Sequence, residues 1–213
     1  MTTGHLVWLA AAAALCAQDR RAAADATARD LVERGRAAVM TAATELRSLR
    51  FVGRVRIPQE GSAFDEGQVE IKVLLPDQFL RVDTLGGSAK PSRDRAFFTR
   101  FMLGAVVYPI PDAKLTIRST GESAFEDTAA VDVSGPSFEA RLVFEHPSMI
   151  PLRLSYFPSG SVSTVMSFAN RRLVSGLLVP FRVTTQTPQR VFEALLFDEV
   201  FVNPPLTKGD FAP

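Results

Sequence analysis

Between residues 49 and 202 the chain is dominated by short segments in which apolar side chains occupy every second position. The segment 138–145 is typical, with aromatic or aliphatic residues alternating with charged ones over most of its length. A period of two indicates β-strands with one buried face. Turn signals such as Ser134-Gly135-Pro136 separate the segments, and the pattern predicts one antiparallel sheet of about ten strands, strongly curved or closed. We place the strands at 50–57, 67–75, 78–84, 115–119, 128–134, 138–145, 152–157, 162–170, 177–187 and 190–202.

Two segments depart from this period and predict helices. Residues 20–48 repeat small or aliphatic residues at spacings of three and four, which indicates a long amphipathic helix with one buried side. The second helix is predicted from Ser92, a suitable N-cap, to about Val107, because Pro109 then stops it. It is apolar almost all round, so it must be buried on several sides or cover something. A flexible Gly/Ser loop is predicted before it at 85–91, and the fold class is α+β.

The N-terminus is predicted to be a targeting segment. The apolar run from Leu6 to Cys16 is shorter than the ~20 residues that cross a bilayer, and it is typical of a signal peptide. Cleavage near Ala17 would leave residues 18–213 as one exported, periplasmic domain and residues 1–17 as the signal peptide. The alternatives are a lipoprotein anchored at its acylated cysteine and a cytoplasmic protein.

Several classes of chemistry lack the residues they need. Cys16 is the only cysteine, and His5 and His146 are the only histidines. Disulfides, zinc sites and a Ser-His-Asp triad are therefore not expected, and His146 is interpreted as a turn residue. Gly86-Gly87 lacks the lysine of a phosphate-binding loop, and a net charge of +1 provides no basic surface for nucleic acid. We predict no enzyme, no cofactor and no metal, with a small-molecule hydrolase as the remaining enzymatic alternative.

The chain carries more apolar side chains than a single core face needs. It has 16 Phe against 2 Tyr and 1 Trp. In 191–202, large apolar residues stand on both faces of the predicted strand. A curved sheet lined with Phe, Leu and Val and covered by an apolar helix is a candidate container for an apolar ligand. The alternative is that the helices fill this space completely.

The order of several short motifs resembles that of a known family. A long predicted helix leads directly into the first strand, and the turn Pro76-Asp77-Gln78-Phe79 has the form Pro-x-x-Phe. Three later segments follow in the family's order: HPSMIPLRL at 146–154, SGLLVPFRV at 175–183 and FVNPPLTKGDF at 201–211. Over roughly residues 30–213 the chain resembles the LolA/LolB-like family of periplasmic outer-membrane lipoprotein carriers.

The resemblance implies an open half-barrel, with the long N-terminal helix and the short apolar helix as its lid or plug. The hydrophobic cavity of such a barrel accepts acyl chains of lipoproteins or lipids, and the partners of such a carrier, itself expected to be a monomer, are an inner-membrane donor complex and an outer-membrane acceptor. In the best-studied carriers an arginine before the Pro-x-x-Phe turn latches the lid, whereas this chain has Leu75 there. The predicted function is an acyl-chain carrier. The alternative is an envelope sensor of the same fold that binds lipoprotein or a protein partner without transport.

The predicted ligand-binding residues are apolar side chains of the strands and of the second helix. Their strand faces are not assigned, because a shift of one residue would reverse them. We also predict that the helix from Ser92 to about Val107 is a movable lid hinged at Gly86, Gly87 and Ser88, the alternative being a fixed core helix. The expected cavity and lid residues are Phe79, Leu80, Val82, Phe97, Phe98, Phe101, Met102, Leu142, Phe144, Leu154, Phe168, Phe181 and Phe197.

Overall fold

One antiparallel sheet of eleven strands organises the described part of the chain. The sheet is open, because each of its two edge strands pairs on one side only. The predicted α+β class and half-barrel architecture are confirmed, with one strand more than expected. The signal peptide predicted at 1–17 lies outside the described residues. The computed structural model describes residues 27–41, 44–59, 63–108, 116–119, 127–135, 138–156 and 163–212.

The strands follow a simple path. They are β1 (Ser48–Pro58), β2 (Phe64–Leu74), β3 (Gln78–Leu85), β4 (Ser88–Ser92), β5 (Thr116–Ser119), β6 (Thr128–Gly135), β7 (Phe138–Glu145), β8 (Pro151–Tyr156), β9 (Thr164–Val174), β10 (Leu177–Gln186) and β11 (Val191–Val202). Their order in the sheet is β4-β3-β2-β1-β11-β10-β9-β8-β7-β6-β5. The chain meanders from the centre to one edge, crosses to the opposite edge after β4, and meanders back until β11 pairs with β1. A short 3₁₀ helix at Lys208–Phe211 follows.

Irregular pairing bends the sheet. The register between β1 and β11 shifts at Val52 and Gly53, and comparable shifts occur between β10 and β11 and between β7 and β8. Gly53 lies so close to the backbone of Leu196 and Phe197 that a Cβ atom would overlap it. Bulges of this kind increase the local twist and bend a strand. The sheet therefore curves and encloses a concave inner face.

The first helix, α1, covers residues 27–39 and packs one side against the core, with Val32 buried. The predicted end at residue 48 is wrong. Met40 forms a β-bridge with Leu177 of β10, so the chain leaves the helical path there. Leu49 continues the helical spacing in sequence but lies fully buried in β1.

The second helix, α2, spans Arg95–Val106. Its N-cap is Asp94 and not Ser92, because the Asp94 carboxylate accepts a hydrogen bond from the Ala96 N–H at 2.8 Å. Val107 ends the helix in a left-handed conformation with φ of 53°, and its N–H bonds back to the last turn. The predicted helix is thus confirmed with slightly tighter bounds.

The segment 85–91, predicted to be a flexible loop, is a tight hairpin. Gly86 and Gly87 have φ of 56° and 80°, which side chains with a Cβ rarely adopt. They join β3 to β4, and the two strands pair from Leu85 and Ser88 onward. The predicted hinge glycines therefore lie in a turn between paired strands, one strand away from α2.

Candidate functional site

Helix α2 occupies the concave face of the sheet. All its residues from Phe101 to Val106 are buried, and so are Phe97 and Phe98 one turn earlier. A surface helix would expose one face to water, whereas this helix is enclosed over its last two turns. The interior of the half-barrel is thus filled by side chains of its own chain.

Six phenylalanines from four elements form an aromatic cluster between α2 and the sheet. The ring centroids of Phe51 and Phe101 are 5.1 Å apart in an edge-to-face arrangement, and those of Phe51 and Phe197 are 4.9 Å apart. Each such pair stabilises the packing by about 0.5–1.5 kcal/mol beyond the area it buries. The aromatic cluster consists of Phe51, Phe79, Phe97, Phe98, Phe101 and Phe197.

Five members of the aromatic cluster were predicted from the sequence, and Phe51 was not. The sequence does contain a pattern that points to a buried Phe51, because this residue alternates with arginines in the segment predicted as the first strand. Its side chain is fully buried at the centre of the sheet. Phe51 therefore belongs with the candidate interior residues.

The other predicted strand residues lie further along the interior. Leu142 pairs with Leu154 across β7 and β8, and both are fully buried. Phe168 packs against α2 at Gly104, where a Cβ atom would overlap the ring. Phe144 packs in the same way against Gly35 of α1, so it lies under the first helix. Met102 is fully buried within α2.

Two predicted residues of β3 lie on the other face of the sheet. Phe79 contacts Phe98 of α2, with ring centroids 5.1 Å apart, which identifies its side of the strand as the inner one. Successive strand residues point to opposite faces. Leu80 and Val82 therefore point away from α2. Phe181 is buried on β10 beneath the guanidinium of Arg172, whose Cζ lies 4.2 Å from the ring centroid.

A buried ion pair stands beside the aromatic cluster. The Arg81 guanidinium lies 4.9 Å from the Phe97 ring centroid, with its Nη2 atom 2.6 Å from Glu193 and 2.8 Å from Asp83. Burial disfavours the charge of Arg81, but hydrogen bonds to Glu193 and Asp83 outweigh it and raise the pKa of Arg81 above its ordinary value. The apolar interior therefore carries a buried ion pair near Phe97.

A cleft of about 320 Å³ opens near this ion pair, at the end of the sheet where β1 and β10 finish and β11 begins. Arg100 of α2 lies with its Cζ 4.1 Å from the Tyr156 ring centroid, and its buried Nε has no hydrogen-bond partner among the described residues. Burial also raises the pKa of the Tyr156 hydroxyl. The cleft combines apolar walls with hydroxyl and carboxylate groups that suit the polar end of an amphipathic ligand. It is lined by Ile57, Tyr156, Thr164, Thr185, Phe192 and Glu193.

The C-terminal end of α2 is held by Arg171 of β9. Its guanidinium donates hydrogen bonds to the carbonyls of Gly104 at 2.9 Å and Ala105 at 2.7 Å, and further bonds to Leu178 and Pro151. A cation at the C-terminus of a helix is stabilising, because unpaired carbonyls gather there. Burial lowers the pKa of Arg171 to about 10, which still leaves it charged at neutral pH.

The contacts that hold the end of α2 could not be read from the motifs. Leu75 stands where the family resemblance places an arginine, and guanidinium groups that contact α2 come from Arg81 and Arg171. Asn170, with φ of 53°, precedes Arg171 and interrupts the regular alternation of β9. Arg36 of α1 adds a hydrogen bond to the Val107 carbonyl at 3.3 Å.

The described part of the chain offers little for other chemistry. Within it, no three His, Cys, Asp or Glu side chains are grouped so that they could hold a metal ion. His146 lies exposed in the turn between β7 and β8. None of the described helices has the length and apolar character needed to cross a membrane.

Solved structures share this architecture at low sequence identity. A LolA superfamily protein from Nitrosomonas europaea is 10% identical, with a TM-score of 0.62 over 87% of this chain and 97% of that one. A domain assigned to outer membrane lipoprotein sorting from Vibrio parahaemolyticus is 8% identical, with a TM-score of 0.57 over 88% and 97%. A DUF1329 family protein from Desulfovibrio piger is 10% identical, with a TM-score of 0.57 over 89% and 97%.

No protein-family model and no curated protein sequence matches the chain. The agreement is therefore one of structure, and it extends over nearly the full length of each similar protein. It confirms the resemblance inferred from the order of the sequence motifs. The chain has a LolA-like fold, in which an open half-barrel holds an apolar helix against its concave face.

Proposed function

We propose that the protein is a periplasmic carrier that binds acyl chains of lipids or lipoproteins inside the half-barrel, for transfer towards the outer membrane. The observation that carries this proposal is the position of α2. The helix buries Phe97, Phe98, Phe101 and Met102 in the space that an acyl chain would occupy. No covalent step is needed, because burying each CH₂ group is worth about 0.8 kcal/mol.

Binding would exchange one apolar contact for another. An acyl chain that enters displaces α2 side chains from Phe51 and Phe197 and makes similar contacts with the same walls. The net free-energy change stays small, because the interior is apolar and filled in both states. Small changes of this size allow the reversible uptake and release that a carrier needs.

The movement that we propose is a displacement of α2 as a lid. Its C-terminal end would detach from Arg171, which holds the carbonyls of Gly104 and Ala105. At its other end the chain would pivot next to Asp94, the N-cap. The glycines of the β3–β4 hairpin do not serve as the hinge in this account, because they lie between paired strands.

The location and partners belong to the same proposal. The similar structures from Nitrosomonas and Vibrio support a place in lipoprotein sorting, and the predicted signal peptide at 1–17 supports export. We propose cleavage near Ala17 and action as a monomer between an inner-membrane donor and an outer-membrane acceptor. A sensor of the same fold would bind cargo without transferring it.

Titration with an environment-sensitive fatty-acid probe tests the binding. We expect a dissociation constant in the micromolar range or below, a negative heat-capacity change, and displacement of the probe by unlabelled palmitate. Native mass spectrometry of protein purified from its own envelope should show a co-purified lipid. Absence of probe binding together with a lipid-free mass would contradict the proposal.

A transfer assay separates the carrier from the sensor. Acylated cargo is loaded on donor vesicles and its appearance in acceptor vesicles is followed after the protein is added. Net transfer that scales with protein concentration is the expected result. Saturable binding without any transfer would favour the sensor.

A further inference from the structure

The convex face of the sheet carries a groove of about 760 Å³ that is both apolar and basic. Phe64 is 60% exposed and Val191 is 36% exposed, although both are large apolar side chains. The groove lies at the end of the sheet where β1 and β10 finish and β2 and β11 begin. We call it the basic apolar patch, and its main residues are Phe64, Val191, Leu196, Arg56, Arg182 and Arg190.

The charge of this patch is positive. Arg56 is paired with Glu66, with Nε and Oε2 2.8 Å apart. Arg182 and Arg190, within the residues that the structure describes, form no ion pair with a carboxylate, and Arg190 lies with its Cζ 4.8 Å from the Phe192 ring centroid. Two guanidinium groups thus flank the exposed Phe64 and Val191 without local neutralisation.

This combination of groups fits an anionic lipid surface. Single exposed apolar residues are common on proteins, but a cluster of them rimmed by cations is typical of segments that rest at the lipid–water interface. The apolar side chains enter the headgroup region, and the arginines attract anionic headgroups. Charge complementarity and apolar exposure therefore indicate the same occupant.

The patch lies directly behind the cleft. Ile57 of the cleft precedes Pro58, and Val191 of the patch precedes Phe192 of the cleft. The two residues of each pair are consecutive in the chain, so the patch and the cleft share one end of the sheet. A surface that contacts the patch would also lie next to the opening of the half-barrel interior.

We propose that the basic apolar patch docks the protein on an anionic lipid bilayer and so brings the cleft to the membrane surface. The statement that an acyl ligand passes through the cleft rests on the proposed function. The docking itself depends only on Phe64, Val191 and the arginines, and it can be measured without an acyl ligand. An acidic protein partner for the same patch is an alternative that the experiment distinguishes.

Co-sedimentation of the exported chain with vesicles tests this proposal. We expect binding to vesicles that contain phosphatidylglycerol, weaker binding to pure phosphatidylcholine vesicles, and weaker binding to the phosphatidylglycerol vesicles at high salt. Each basic residue near an anionic surface strengthens binding roughly five-fold. The double variant Arg182→Gln/Arg190→Gln should therefore bind at least about ten-fold more weakly, and Phe64→Ser should also weaken binding.

Leu173→Ser is the matched control. Leu173 is 69% exposed near the end of β9, at the opposite end of the sheet, so its replacement should leave vesicle binding unchanged. All variants change exposed residues, and thermal melting confirms that each is folded. Binding of the soluble fatty-acid probe should be the same in all of them, which separates failure of docking from failure of acyl binding.

Equal vesicle binding by the wild type and the patch variants would overturn the proposal. Absence of binding to phosphatidylglycerol vesicles would also overturn it, and this second result is the one expected if an acidic protein is the partner.

Discussion

Replacing Phe101 by alanine is expected to lower the free energy of unfolding by about 3–5 kcal/mol. Phe101 is fully buried and contacts the rings of Phe51, Phe97 and Phe197. Its removal loses the transfer free energy of the ring and leaves a cavity between α2 and the sheet. Denaturant unfolding monitored by circular dichroism measures the difference. The fatty-acid probe should still bind, at least as tightly as to the wild type, because the new space lies where we place the acyl chain.

Phe201→Ala provides the matched control for this variant. Phe201 is 39% exposed on β11, and its main contact is the guanidinium of Arg50, whose Cζ lies 5.5 Å from the ring centroid. An exposed cation–π contact contributes about 0.5–1 kcal/mol, so the loss should stay near that value. Similar losses in the two variants would show that Phe101 does not hold the interior together. Loss of probe binding in Phe101→Ala would place the acyl chain elsewhere.

Replacing Arg171 by glutamine is expected to release α2 from the sheet. The change removes a charged donor from the carbonyls of Gly104 and Ala105, and hydrogen bonds to charged groups are worth about 1.5–3 kcal/mol each. A loss of about 3 kcal/mol would raise the open fraction of the helix by roughly 100-fold. The apparent dissociation constant for an acyl chain varies inversely with that fraction. We therefore expect the fatty-acid probe to bind at least about ten-fold more tightly, even though the protein unfolds at lower denaturant concentration.

The neighbouring residue supplies the control for Arg171. Arg172 is exposed and contacts only the Phe181 ring among the interactions described for it, so Arg172→Gln should change stability and probe affinity little. A destabilised Arg171→Gln protein with unchanged or weaker probe binding would assign Arg171 a purely structural role. That result would also argue that α2 does not compete with the ligand.

The strands were predictable because their period of two is strong and local. The prediction for 138–145 coincides with β7 (Phe138–Glu145), where apolar and charged residues alternate over most of the length. The strand β4 was missed because Ser88–Ser92 contains a proline and no alternating apolar residues. An edge strand tolerates both features, since only one of its sides pairs and little of it is buried.

The apolar composition of the interior was predictable from the sequence. The strand face on which each residue lies, and the charged residues buried in the interior, were not. The same sequence segment contains Phe79, Leu80 and Val82, and only the contact with α2 identifies Phe79 as the inward residue. Arg81 stands on the inner side because it pairs there with Asp83 and with Glu193, which is 112 residues further along the chain. A partner so distant in sequence leaves no local pattern. The same holds for Arg171, whose acceptors on α2 are 66 and 67 residues away.

Hydrogen exchange of the α2 amides, measured with and without palmitate, tests the central claim most directly. If α2 is a lid that yields its space to an acyl chain, the amides from Phe97 to Val106 exchange faster than those of the central strands β1 and β11 in the empty protein. Addition of palmitate then changes their exchange while β1 and β11 stay protected. Protection of α2 equal to that of β1 and β11 in both states would contradict the account and identify α2 as a fixed part of the core.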